Sequence, residues 1–310
     1  MQNIINTCEP RQDILAGTFN PEIFTASLNE VIQFYQTNQQ GVHPIYTDAE
    51  QFFTEGTYAT DGFKTVLTEV FARLAGDGTA PAIHRLETAF GGGKTHTLIA
   101  CTHIGYKGDE LTPHISQLID PKYIPPKGEI DVVGISGNDI PVHKPKGKSL
   151  VPYTLWGEIA YQIGGEALYK EVEEDAASYA APGKNYFESV LKGRKVLLMI
   201  DELAQYAARL SAAKADGSEQ LAAFLMSLHE YARSNPGISV VLTLASATDA
   251  FAKQTSHLAK LLSNITGVEI IGSAEADRLT IDFGSGNLLQ TLPIRFSDAF
   301  SGDGDTLTIL

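Results

Sequence analysis

Thr88-Ala89-Phe90-Gly91-Gly92-Gly93-Lys94-Thr95 joins an apolar run at 82–86 to the helical pattern of 95–104. A strand, a glycine-rich turn and a helix opening on Lys-Thr together make a phosphate-binding loop. Three consecutive glycines let backbone N–H groups converge on phosphate oxygens with no side chain in the way, and the helix N-terminus adds its partial positive charge. Lys94 is spaced to reach the β and γ phosphates, and the Thr95 hydroxyl to ligate magnesium. Gly91, Gly92, Gly93, Lys94, Thr95 and the adjoining His96 form the expected nucleotide-contacting stretch. The usual pattern has a further glycine six residues before the lysine, where this chain has Thr88.

A second motif supports the first. Val196-Leu197-Leu198-Met199-Ile200 is an apolar strand that ends in Asp201-Glu202, a Walker B pattern. A carboxylate at the end of the strand beside a phosphate loop can hold the magnesium shell, and its neighbour can polarise an attacking water. Asp201 takes the first role and Glu202 the second. Taken alone, the pair would read as acidic residues at a helix N-terminus. A water-activating glutamate also favours hydrolysis over kinase-type transfer. A third run, Ile238 to Leu244, ends in small polar residues, from which a γ-phosphate sensor is expected. Ser246 is the first choice, with Thr243 and Thr248 as alternatives; a hydroxyl at a strand end can also simply satisfy a turn.

The rest of the chain fits one architecture. Runs at 82–86, 130–135, 196–200 and 238–244 are continuously apolar, as strands covered on both faces are. Helical patterns lie between them, clearest at 218–233, where Leu221, Phe224, Leu225 and Leu228 form one stripe behind a Ser218 cap. Alternation of this kind predicts an α/β fold with a parallel sheet and flanking helices. Before it, Ile23, Phe24, Leu28, Val31, Ile32 and Tyr35 recur at helical spacing, a second helix is expected over 62–74, and 47–60 reads as a packed loop or short helix. Gly76, Asp77, Gly78 and Pro81 punctuate the chain, which divides it into a helical N-terminal region at 1–78, a core at 79–272 and a tail at 273–310. In the tail, Leu279, Ile281 and Phe283 alternate with polar residues before Gly284-Ser285-Gly286-Asn287, predicting a small β-rich hairpin that continues through Leu292, Ile294 and Phe296. Residues 306–310 could add one more strand.

Composition sets the outer limits. In 310 residues, 37 acidic side chains against 23 Lys plus Arg give a formal net charge of −14, which argues against a protein that coats nucleic acid. A hydrophobic content of 43% is enough for a sizeable core. Cys8 and Cys101 make neither a disulfide framework nor a zinc site. Glu9, Arg11 and Asp13 interrupt the N-terminus where a signal peptide would be apolar, and no run approaches membrane-spanning length, so a soluble cytoplasmic protein is expected. Lys144, Lys146 and Lys148 read as a solvated basic loop, or as the element of a direct DNA motor if they line a ring pore. His84, His96, His103, His114 and His143 lack metal-ligand spacing, and Trp156 reads as a core anchor.

The elements Phe90-Gly-Gly-Gly-Lys-Thr-His96, Thr154-Leu-Trp-Gly157, Asp201-Glu-Leu-Ala-Gln-Tyr206 and Pro10-Arg-Gln-Asp-Ile-Leu-Ala-Gly17 resemble a prokaryotic family of large P-loop ATPases known only as a domain of unknown function. The resemblance spans roughly residues 10–251. It implies a P-loop NTPase of AAA+ or ASCE type, with an extra strand between the Walker A and Walker B strands. It also implies ATP and Mg2+ as cofactors, with Lys94 and Thr95 for nucleotide and magnesium, Asp201 for magnesium and Glu202 for water activation. Members are encoded beside DNA methyltransferases and helicases in phage-defence islands and are similar to the phage-growth-limitation ATPase. The implied activity is therefore Mg-dependent ATP hydrolysis driving a conformational change in a DNA-associated defence assembly. Adenine is implied by the family and by the lack of an Asn-Lys-x-Asp motif. One departure stands out: 251–267 contains no arginine, while Arg278 and Arg295 fall in the expected hairpin. An arginine finger would then come from another copy of the chain or a partner subunit. The alternative is a nucleotide-dependent switch or scaffold that binds ATP with little hydrolysis.

Overall fold

The computed structural model describes residues 16–17, 27–38, 42–88, 93–147, 149–245, 254, 256, 258, 260, 268–271, 278–282 and 289–293. The four apolar runs are strands: β1 (Ile83–Thr88), β2 (Asp131–Ser136), β3 (Val196–Asp201) and β4 (Ile238–Ala245). They pair in parallel in the order β2-β3-β4-β1, with β5 (Val268–Ile271) added in parallel beside β1. The last strand in sequence among the four, β4, thus lies between β1 and β3. Farther along, β6 (Arg278–Asp282) and β7 (Leu289–Pro293) pair antiparallel, as the hairpin reading expected. The turn residues 284–287 and the expected strand at 306–310 lie outside the described residues.

Among the described residues seven longer helices flank the sheet: α1 (Leu28–Thr37), α2 (Asp61–Leu74), α3 (Lys94–Lys107), α4 (Leu155–Glu171), α5 (Lys184–Leu191), α6 (Leu203–Ala213) and α7 (Gly217–Ser234). The stretch between α1 and α2 holds two short helices, Pro44–Thr47 and Ala49–Thr54. Alternate strand residues face opposite ways, so each continuous apolar run feeds two cores. Leu198, Ile200, Val240 and Leu242 pack with Trp156, Phe187, Phe224 and other residues of α4 to α7. Leu197, Met199, Val132 and Val241 pack with Leu28, Ile32, Phe63, Leu67, Val70 and α3. The helices before residue 78 therefore roof one face of the sheet and share its core, across the glycine-rich punctuation at 76–81.

Local chemistry explains the joints. Thr154 caps α4 by accepting from the Gly157 N–H at 2.9 Å, and Trp156, fully buried, donates to the Asp175 and Ser178 carbonyls. At the sheet edge, Gln162 of α4 donates to the Gly134 carbonyl and accepts from the Gly134 N–H, both at 3.0 Å, filling part of the place of an absent neighbour strand. The Ser218 cap expected for α7 is not formed. The helix opens one residue earlier, at Gly217, with no side-chain cap, and the Ser218 hydroxyl meets that of Ser211 on α6 at 2.5 Å. A tertiary partner has displaced the local one.

Arg73, in the last turn of α2 and 2% exposed, is hydrogen-bonded to carbonyls, with the charge of Asp77 near enough to favour its own. It donates to Ala232 and Arg233 at 2.5 and 3.0 Å, and more weakly to Ile238, Gly78 and Ala80 at 3.3–3.4 Å. The two short bonds cap the C-terminus of α7, whose partial negative charge offsets the buried cation. Burial lowers the guanidinium's proton affinity. Among the described residues no helix is long and apolar enough to cross a membrane.

Candidate functional site

The helix α3 that follows the glycine-rich loop begins at Lys94 behind Gly93, whose φ of +75° is left-handed and favours glycine, and no side chain caps it. Gly91 and Gly92 lie outside the described residues, as does Ser246. The two candidate magnesium ligands come together from 106 positions apart: the Thr95 hydroxyl donates to Asp201 Oδ2 at 2.8 Å. The other carboxylate oxygen, Oδ1, accepts from the Thr243 hydroxyl at 2.5 Å and from the Glu202 N–H at 3.1 Å. Thr243 also accepts from the Glu202 N–H at 2.8 Å. Asp201 is thus buried with both oxygens aimed by neighbours on three elements. Thr243, considered in sequence as an alternative sensor, has its hydroxyl proton committed to Asp201.

Glu202 follows in a left-handed conformation, φ 54° and ψ 42°, at the N-cap position of α6. It makes no side-chain cap bond, so the helix-terminus reading of the acidic pair does not describe its carboxylate. Oε2 instead accepts from the Asn138 amide, on the turn after β2. Burial first, then the charges of Asp201 and Asp139, raise the Glu202 pKa, while Lys94 pulls it down. Lys94 and Glu202 therefore feel one another's charge. Asn138 was not singled out in sequence, although it follows closely on the carboxyl end of a parallel strand, where sites of such sheets gather. Arg209, also missed, donates from one Nη1 to the Gly137 and Asn138 carbonyls at 2.8 and 2.6 Å.

Thr95 and Asp201 offer hard oxygen donors suited to Mg2+. Among the described residues no group of three or more His, Cys, Asp or Glu side chains could hold a metal. The remaining histidine of the loop motif, His96, is engaged on its far side. Its ring stacks on Phe52 at 4.4 Å and 23°, and Nε2 meets the Thr57 hydroxyl at 2.9 Å. About two turns further along α3, His103 is fully buried with Nδ1 2.7 Å from the Tyr35 hydroxyl. Lys144 and Lys146 are exposed, and Lys148 is outside the described residues.

Burial lowers the pKa of His96 to about 4 and of His103 to about 3, from an ordinary 6.5. Both rings bind a proton more readily unfolded, so stability falls as pH drops below the unfolded value and continues to fall towards the folded ones. Each is expected to remove about 2 kcal/mol between pH 8 and pH 5. Urea unfolding at the two pH values measures this, and His103→Gln, which keeps an acceptor for Tyr35, should shrink the difference by about its own share.

The arrangement belongs to an α/β protein whose parallel sheet brings Asp201 and Thr243, with Thr95 and Asn138 beside them, together towards the carboxyl ends of its strands. The profile of the DUF499 N-terminal domain matches residues 8–266, and the chain belongs to this family. No curated protein matches the chain.

Proposed function

We propose that the chain is a P-loop NTPase of AAA+ or ASCE type that hydrolyses ATP with Mg2+. The observation that carries this reading is the Thr95–Asp201 hydrogen bond, which joins the two motifs at the ends of β1 and β3 with Glu202 beside them. The placement of β4 between β1 and β3 supports it too, as does the charge coupling of Lys94 to Glu202. Mg2+, held by Thr95 and Asp201, would neutralise charge on the phosphates. Lys94 binds the β and γ phosphates, and the uncapped start of α3 offers backbone N–H donors to them. Thr243 keeps Asp201 oriented. Glu202, its basicity raised by burial and by two carboxylates, takes a proton from the attacking water.

We place the cytoplasmic chain in a DNA-associated, anti-phage assembly with a finger arginine supplied by another copy or a partner subunit; this part rests on the family resemblance alone. The absence of arginine from 251–267 favours a second reading, a switch that binds ATP and hydrolyses it little without that partner. Titration with Mg-ATP tests the shared premise. Wild type should bind, and Lys94→Ala should bind about 10–100-fold more weakly, the loss expected of a charge-assisted phosphate contact. Equal affinity of the two proteins, or binding by neither, would sink both readings.

A further inference from the structure

Resting on the ATPase reading, we propose that Arg209 is a positioning residue that sets the Glu202 carboxylate through the Gly137–Asn138 turn. Arg209 lies on α6, the helix that begins immediately after Glu202, and reaches back to the turn at the sheet's polar end. One nitrogen, Nη1, serves both successive carbonyls, Gly137 at 2.8 Å and Asn138 at 2.6 Å. The same turn is held from other directions too. The Gly137 N–H donates to the Asp201 carbonyl at 2.8 Å, extending the β2–β3 ladder by one bond. A Cβ on Gly137 would collide with the Glu202 carbonyl oxygen, so the turn lies directly against the backbone of the candidate base.

The exposed member of this turn is Asn138, and its amide donates to Glu202 Oε2. An exposed asparagine on a free turn would exchange that bond with water. Here its own carbonyl and that of Gly137 are both held by a cation, and the amide is turned to the Glu202 carboxylate. Arg209 touches neither Asp201 nor Glu202 by side chain, so its influence passes through Asn138.

Two measurements test this. In steady-state phosphate release, Arg209→Ala should lower kcat about 10–100-fold, the size expected when a reacting group is misplaced, with ATP affinity unchanged within about twofold. Arg209→Lys, whose ammonium can also serve two carbonyls from one nitrogen, should recover part of it. Asn138→Ala should cost nothing further in the Arg209→Ala background, because the two act through one contact. Additive losses, or a kcat unaffected by Arg209→Ala, would overturn the proposal. The second measurement needs no turnover: the Asn138 side-chain amide resonance in asparagine-labelled protein, assigned by its loss in Asn138→Ala. It should shift in Glu202→Gln and in Arg209→Ala and stay in place in Arg194→Ala, whose guanidinium pairs with Asp131 on the surface. An unmoved resonance in Arg209→Ala refutes the positioning role. If wild type binds Mg-ATP but releases no phosphate, the chain is the switch or an ATPase that needs an arginine from elsewhere, and the resonance decides the role of Arg209; if it binds no Mg-ATP, the ATPase reading fails by itself and the resonance still decides that role.

Discussion

Glu202→Gln is expected to bind Mg-ATP as tightly as wild type and to release phosphate about 100-fold more slowly or worse. The substitution keeps the shape and an oxygen able to accept from Asn138, while it removes the basic lone pair. It also removes a negative charge from the neighbourhood of Asp201, Asp139 and Lys94, which is why binding should hold or tighten. Steady-state phosphate release with a parallel binding isotherm measures both quantities. Loss of binding and turnover together would mean that Glu202 supports the fold of the site rather than the chemistry. Turnover equal to wild type would remove Glu202 as the base. Binding by both proteins with release by neither would select the switch, or an ATPase that waits for an arginine from elsewhere.

Arg73→Met should destabilise the chain by about 3–5 kcal/mol, the largest single effect expected away from the site. Charge-assisted bonds contribute about 1.5–3 kcal/mol each, so five of them would suggest on the order of 10. Three are long, and burying a guanidinium costs several kcal/mol that the methionine recovers. What is not recovered is the set of carbonyls left without donors at the end of α7 and in the turn before β1. Urea unfolding of wild type, Arg73→Met and Arg73→Lys measures it. The lysine should lie between the others, since a point-like ammonium cannot span carbonyls from three segments. A loss under about 1 kcal/mol for Arg73→Met would show that water replaces the guanidinium at no great cost.

The strands were readable because burial on both faces leaves an uninterrupted apolar run, and a run too short for a buried helix, with glycines and helical patterns on either side, fits a central strand. The candidate motifs were readable because a site for phosphate and magnesium, as proposed, demands particular residues at fixed short spacing. Asn138, Arg209 and the Thr243 contact were not, because their roles depend on segments far apart in sequence meeting at the ends of neighbouring strands. The left-handed backbone at Glu202 had no local signal either, since glutamate gives no hint of positive φ. Ser218 shows the opposite error. A local rule assigned it to a cap, and a hydroxyl on the neighbouring helix outcompeted that choice. Trp156 was assigned to the core correctly because size and helical phase left little else for it to do. The two longer helices before residue 78 were legible as helical segments, but the surface they cover was not.

That covering surface decides where the chain can be divided. The glycines and proline at 76–81 look like a seam, yet a cut there would strip Leu28, Ile32, Phe63, Leu67 and Val70 from Leu197, Met199, Val132 and Val241. The remainder would present a sheet's inner apolar face to water beside its glycine-rich loop, a surface prone to clump. The smallest piece fit for recombination, fusion or transplantation into another protein therefore begins ahead of Leu28.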